Sequence, residues 1–232
     1  KRDVIYVCTS SNLWREIATQ LKNDYGFIPK FHVGFEERPT KNPDDIFYGI
    51  PFYNINQARR GDVPDTIPNF KLGPHDLNLF ADMQDEFDTF LEMCERFVVD
   101  DMHGTFEQKK NFFLHLISVW TGILNYSKPK AVIIGSRPHR MFDFVLEILC
   151  KHQNLPFIML EETNMNDCVY GIDIRRNGLA FPFEKNRGER LKSVLSKEAH
   201  EFIATKRKAY GEAKPVSISL EGYFSPAKQK RQ

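Results

Sequence analysis

The chain has 232 residues, is 41% hydrophobic and carries a formal net charge of +1. That is enough apolar content for one sizeable core, and the balanced charge sets aside a dedicated nucleic-acid binder, which shows a basic excess. The longest apolar runs, such as AVIIG and PFIML, fall well short of the roughly 20 residues a membrane-spanning helix needs.

No signal-peptide pattern is read at the start. The chain begins at Lys1 without Met, as expected of a piece of a longer protein. Cys8, Cys94, Cys150 and Cys168 form no CxxC pair, which predicts reduced, mostly buried thiols in a cytoplasmic protein.

In chain order, DVIYVCTSSN reads as a first strand over Val4 to Cys8, followed by N-cap candidates Thr9, Ser10, Ser11 and Asn12. Leu13, Ile17 and Leu21 recur every four residues and predict a helix, which Gly26 ends. PKFHVGF is a second short strand, so the chain opens a βαβ unit. From residue 36 to 75 the periodicity disappears among Pro, Gly and polar residues. This predicts a long excursion over one end of the sheet, with a short strand at DIFYGI.

Two helices come next. Phe80, Met83, Phe87, Phe90, Cys94 and Phe97 mark one core-facing stripe, and Phe106, Phe113, Leu116, Ile117, Trp120 and Ile123 mark the other. Between them Gly104 is the break and Thr105 the cap. KAVIIGS is a buried strand, RPHRMFDFVLEILCKHQN a helix and LPFIMLEET a buried strand, which predicts parallel strands joined by a right-handed crossover. VYGIDIR adds an edge strand, and a charged helix follows with Leu191, Val194, Leu195, Phe202 and Ile203 inward. The expected fold is α/β: a Rossmann-like, doubly wound, mostly parallel sheet with helices on both faces. It forms a single domain over residues 1–212, with 213–232 as a tail or linker.

Open α/β sheets bind ligands outside the carboxyl ends of their strands. Three such ends are rich in polar groups here: CTSSN, GSRPHR and LEET. In GSRPHR, Ser136 is expected to cap the helix and Pro138 to occupy its first turn. The free N–H groups and helix dipole then favour an anion, with Arg137, His139 and Arg140 adding donors. The dipole also favours neutral His139, which can act as a general base toward a hydroxyl. The competing reading is a capped turn with solvated arginines.

In LEET, Glu161 and Glu162 alternate across the strand, so at most one enters the crevice. CTSSN lacks the glycines of a dinucleotide fingerprint. Ser10 and Ser11 can still hold a sugar or an oxyanion, or simply cap the helix. The histidines His32, His75, His103, His115, His152 and His200 show no metal-ligand spacing, and Asp100–Asp101 follows a helix, so no metal site is expected.

The stretch KPKAVIIGSRPHRMFDFVLEILCKHQNLPFIMLEET resembles bacterial proteins of capsule and surface polysaccharide biosynthesis. The resemblance rests on Pro138 and His139 opening a helix, the step Phe142–Asp143, and Glu161, Glu162 and Thr163 ending the next strand. It covers about 40 residues. It implies the N-terminal, acceptor-side half of a glycosyltransferase-like protein of the GT-B kind, whose second half binds a nucleotide-sugar donor and lies outside this chain.

On that reading His139 or Glu162 deprotonates the acceptor hydroxyl. Ser10, Ser11, Ser136, Arg137, Arg140, Glu161 and Thr163 bind a sugar or glycan acceptor. No cofactor or metal is implied beyond the parent enzyme's donor. A second domain or partner subunit and peripheral membrane association are expected, and nucleic acid is not. A non-catalytic module that binds a nucleotide or acidic glycan is the alternative, and a structural domain with an inherited fold is a third possibility.

Overall fold

The computed structural model describes residues 1–35, 40–74, 77–96, 104–162, 169–173 and 178–179, together with Glu201 and Thr205. Residues 1–182 form one compact unit and residues 183–232 a second. The expected helix around Leu191 to Ile203 and the tail after 212 fall outside the described residues, apart from helical Glu201 and Thr205.

The first unit is built on β1 (Arg2–Val7), β2 (Phe27–Gly34), β3 (Phe52–Asn54), β4 (Ala131–Ile134), β5 (Phe157–Glu162), β6 (Val169–Asp173) and β7 (Gly178–Leu179). They form one sheet in the order β3-β2-β1-β4-β5-β6-β7. The first five strands of that order pair in parallel, and β6 and β7 continue the edge antiparallel. The parallel pairing of β4 with β5 and a strand at VYGID agree with the sequence pattern, but that strand is not the edge: β7 pairs outside it.

A parallel sheet covered on both faces favours uninterrupted apolar strands. Val4 through Val7 and Val132 through Ile134 are all almost fully buried. Strand alternation then divides these residues between two cores. Ile5, Val7, Val132 and Ile134 face one, while Val4, Tyr6 and Ile133 face the other.

The smaller core is covered by Trp14 and Ala18 of α1 (Asn12–Tyr25) and by Phe47. The Ser11 hydroxyl caps α1 by accepting from the Trp14 amide, and Gly26, at φ 68°, closes it in the left-handed conformation. The larger core collects α2 (Ile55–Arg60), α4 (Gln84–Arg96), α5 (Phe106–Ser127) and α6 (Met141–His152). At its centre Trp120 stands edge-on to Tyr53 at 6.1 Å and stacks on Phe142 at 6.4 Å.

The structure departs from the sequence pattern in four places. DIFYGI is not a strand: residues 45–50 make successive turns, and the short strand falls just after them at Phe52–Asn54. The Asp45 carboxylate explains the difference, because it accepts the Phe47 amide and pairs with Arg15, and so bends the chain. Phe47 is buried by that bend, where its ring stacks on His32 at 4.0 Å.

The first aromatic stripe is not one helix but two, α3 (Leu77–Asp82) and α4, with Met83 at the break. Phe106 is 56% exposed, since it is the first residue of α5, and its ring meets Phe87 edge-on at 5.7 Å. The helix after β4 starts at Met141, four residues later than RPHR suggests. Phe97 falls outside the described residues.

Thr105 caps α5 as expected, in a reciprocal box with Gln108. Packing outweighs capping here. Trp120→Ala is expected to lower unfolding free energy by about 3–5 kcal/mol and Thr105→Ala by about 1 kcal/mol, both measured by urea denaturation. Equal losses would mean that the two-core description is wrong.

Candidate functional site

The strand order reverses between β1 and β4. From β1 the chain moves through α1 to β2 on one side, and from β4 through α6 to β5 on the other. The two helices lie on opposite faces, so the chain turns to opposite sides after β1 and β4, and the carboxyl edge between them is the crevice position of an open α/β sheet. Residues 8–11 form one wall and residues 135–140 the other.

The walls approach closely because of one glycine. A Cβ added to Gly135 would lie 2.5 Å from the Cys8 carbonyl oxygen and 2.9 Å from the Trp14 ring. Cys8 itself adopts φ 57°, an uncommon conformation for a residue with a side chain. It turns the chain sharply out of β1, and burial pushes its thiol up to about 12. Asp143 adds to that rise, while Arg140 and a hydrogen bond with Ser136 oppose it.

Ser10 and Ser11 are at the crevice but already engaged. The Ser10 hydroxyl accepts the Phe35 amide at 2.9 Å, and its carbonyl accepts from Arg15. Ser11 caps α1, the simpler of its two expected roles. Ser136 does not cap α6, and Pro138 is not in its first turn. Both precede the helix, whose N-cap is Arg140.

The expected open anion site at this helix end is also corrected. The buried Asp143 carboxylate fills it, accepting the Arg140 amide at 2.8 Å. A carboxylate three residues into a helix reaches back to the orphan amides more readily than any diffusible anion can.

Arg137 and His139 are exposed, and Arg140 is half-buried. His139 Nδ1 lies 2.7 Å from the Arg137 carbonyl oxygen. A carbonyl only accepts, so Nδ1 carries the proton, and Nε2 is left as the basic nitrogen of the neutral ring. The Arg140 guanidinium lies 5.2 Å from the centroid of the Phe35 ring, which is 57% exposed at the end of β2.

Glu161 and Glu162 end β5, one strand beyond β4, paired with Tyr170 and Val169. Their side chains and all of Thr163 lie outside the described residues. The structure therefore brings Ser10, Ser136 and Arg140 together, with Arg137 and His139 on the same turn.

Sequence reasoning placed Cys8, Thr9 and Gly135 at this edge, within CTSSN and GSRPHR, but gave them no role; it missed Phe35 and treated Asp143 only as a motif residue. The available signal was the residue following each strand, Cys8, Phe35 and Gly135. The hollows with measured volumes lie elsewhere on the described surface. One of about 480 Å³ between α1 and residues 42–46 has its arginine, Arg15, paired with Asp45. Among the described residues no group of three His, Cys, Asp or Glu can hold a metal ion, and no helix is long and apolar enough to cross a membrane.

Fold and crevice define a class: a Rossmann-like α/β protein with a five-stranded parallel sheet and a polar turn at its switch point. Comparison with protein-family models, curated proteins and solved structures finds no match.

Burial raises Asp143 from its ordinary value of 3.8 to about 7, with the amides and charge of Arg140 opposing. The folded chain thus holds this proton more tightly than the unfolded chain. The associated stability is full below about pH 4 and is lost as pH rises through about 7. Glu147, also raised to about 7 by burial, contributes with the same sign. Asp143→Asn keeps an oxygen for the Arg140 amide but removes the titration. Urea unfolding at pH 5 and pH 8 should show a fall for the parent larger than that of the variant, by on the order of 2 kcal/mol. Equal falls would show that Asp143 ionises normally.

Proposed function

We propose that the chain is the acceptor-side part of a glycosyltransferase-like protein of surface or capsule polysaccharide biosynthesis, acting in the cytoplasm. The observation that carries this reading is the orientation of His139. Its Nδ1–H is committed to the Arg137 carbonyl, so Nε2 is the basic atom of an exposed imidazole beside the β1/β4 crevice. A base in that position can take the proton of an acceptor hydroxyl as its oxygen attacks an anomeric carbon.

Arg137 and Arg140 supply positive charge for a phosphate or an acidic sugar, and Ser136 supplies a hydroxyl at the same turn. The nucleotide-sugar donor would be held by a second domain or partner subunit. Glu162 remains the alternative base at the end of β5, next to Glu161; Thr163, which follows it in sequence, is proposed to contribute a hydroxyl. The protein would meet its lipid- or membrane-borne acceptors peripherally.

The test is transfer of labelled sugar from a panel of nucleotide-sugars by the full-length gene product. His139→Ala should lower turnover at least 100-fold with an unchanged circular dichroism spectrum. Unchanged turnover would remove His139 as the base. No transfer from any donor, combined with saturable binding of sugar nucleotides or acidic glycans, would replace the catalytic reading with a binding module.

A further inference from the structure

β3 is the last strand on its side of the sheet, with β2 as its neighbour. An edge strand presents N–H and C=O groups that pair readily with another chain unless something covers them. The His32 amide donates to the Pro51 carbonyl, so residues 51 and 53 turn their backbone groups toward β2, and those of Phe52 turn outward. Asn54, the next outward residue, passes directly into α2 as its N-cap. The edge therefore presents one full donor–acceptor pair, that of Phe52.

Thr66 meets both groups with one hydroxyl. Its Oγ1 accepts the Phe52 amide at 2.9 Å and donates to the Phe52 carbonyl at 2.6 Å. A hydroxyl can do both at once, and no apolar side chain can do either. Paired strands exchange the same two bonds in the same place. Thr66 thus stands where the backbone of a further strand would stand, although residues 62–66 are not themselves a strand.

The segment that carries Thr66 is fixed at both ends. Gly61, at φ 74°, closes α2 and turns the chain back, and its carbonyl lies 2.7 Å from His115 Nε2 on α5. The Tyr53 hydroxyl donates to the Asp62 carbonyl. Ile67, just beyond Thr66, is buried in the larger core. The segment lies against the outer edge of β3 as a short strap.

We infer that the outer edge of β3 is a strand-docking edge, closed by residues 62–66 against an extended segment of a second copy of this chain, with Thr66 as the latch. Backbone pairing at such an edge needs no particular side chains, so a second copy is the partner always present at the protein's own concentration. This edge lies two strands from the β1/β4 switch point, and the inference stands apart from the sugar-transfer reading.

The test is amide hydrogen exchange by NMR on the full chain, with sedimentation velocity over a concentration series. Thr66→Val keeps the shape of the side chain and removes both bonds. The Phe52 amide, which reads the latch, should exchange about tenfold faster or more in this variant. The His32 amide, which reads the pairing of β2 with β3, should not change in proportion. The variant should form larger species than the parent as concentration rises, and Phe52 exchange should slow again as they form. Thr66→Ser keeps the hydroxyl and should behave as the parent.

Unchanged Phe52 exchange in Thr66→Val would overturn the latch. Equal acceleration at Phe52 and His32 would do so too, because it would make Thr66 an ordinary contributor to stability. Fast exchange at Phe52 without any larger species would overturn the docking edge. If Thr66→Val does not fold, Tyr53→Phe carries the test. It frees the strap at Asp62 with the Thr66 hydroxyl in place, and it should speed Phe52 exchange more than that of His32; equal rates would sink the strap.

Discussion

The pairing of Val4–Val7 with Ala131–Ile134 joins two segments far apart in the chain. Both runs are apolar throughout, because each strand is covered on both faces and neither has a solvent side for polar residues. Their parallel register carries Cys8 and Gly135 to the same edge, where the Gly135 amide donates to the Val7 carbonyl and the Cys8 amide to the Val33 carbonyl. No side chain fits between these two loops at that point. The two strand ends therefore meet at the switch point because a hydrophobic constraint aligns the strands and a glycine lets them converge.

The two sides of the sheet are covered differently. One face carries the long helix α5 and the aromatic group of Phe80, Phe87, Phe90 and Phe113, whose neighbouring rings lie 4.9–6.4 Å apart. The other face is covered over its middle strands by α1 and by the turns that bury Phe47. This asymmetry puts α1 and α6 on opposite faces, which is the condition for a ligand crevice in an open sheet. Fold support and site geometry follow from the same distribution of apolar surface.

Asp143 shows how burial changes what a charged residue does. On an exposed helix its carboxylate would be an ordinary first-turn acid, mildly favoured by the dipole. Fully buried against Cys8 and the start of α6, it holds its proton up to near neutrality and still orders the Arg140 amide. It thereby fills the place at which the exposed arginines alone would suggest an anion.

The strands were legible because a doubly covered parallel sheet demands continuous apolar runs, and VIYV and AVII are such runs. The caps Ser11, Thr105 and Gly26 were legible because capping is a local hydrogen-bonding matter. The sheet class followed from the alternation of these elements. The start of α6 was misplaced by four residues, since Ser136 and Pro138 satisfy the local rules for a helix start equally well, and burial of Met141 and Asp143 decides the matter. DIFYGI has strand-like composition, but the long-range Arg15–Asp45 pair makes it a turn. Phe35 against Arg140, and Cys8 beside Asp143, are contacts between residues far apart in the chain. Local sequence determines elements and their ends because those depend on neighbours within a few residues; the site belongs to the tertiary structure because its partners meet only when β1, β2 and β4 lie side by side.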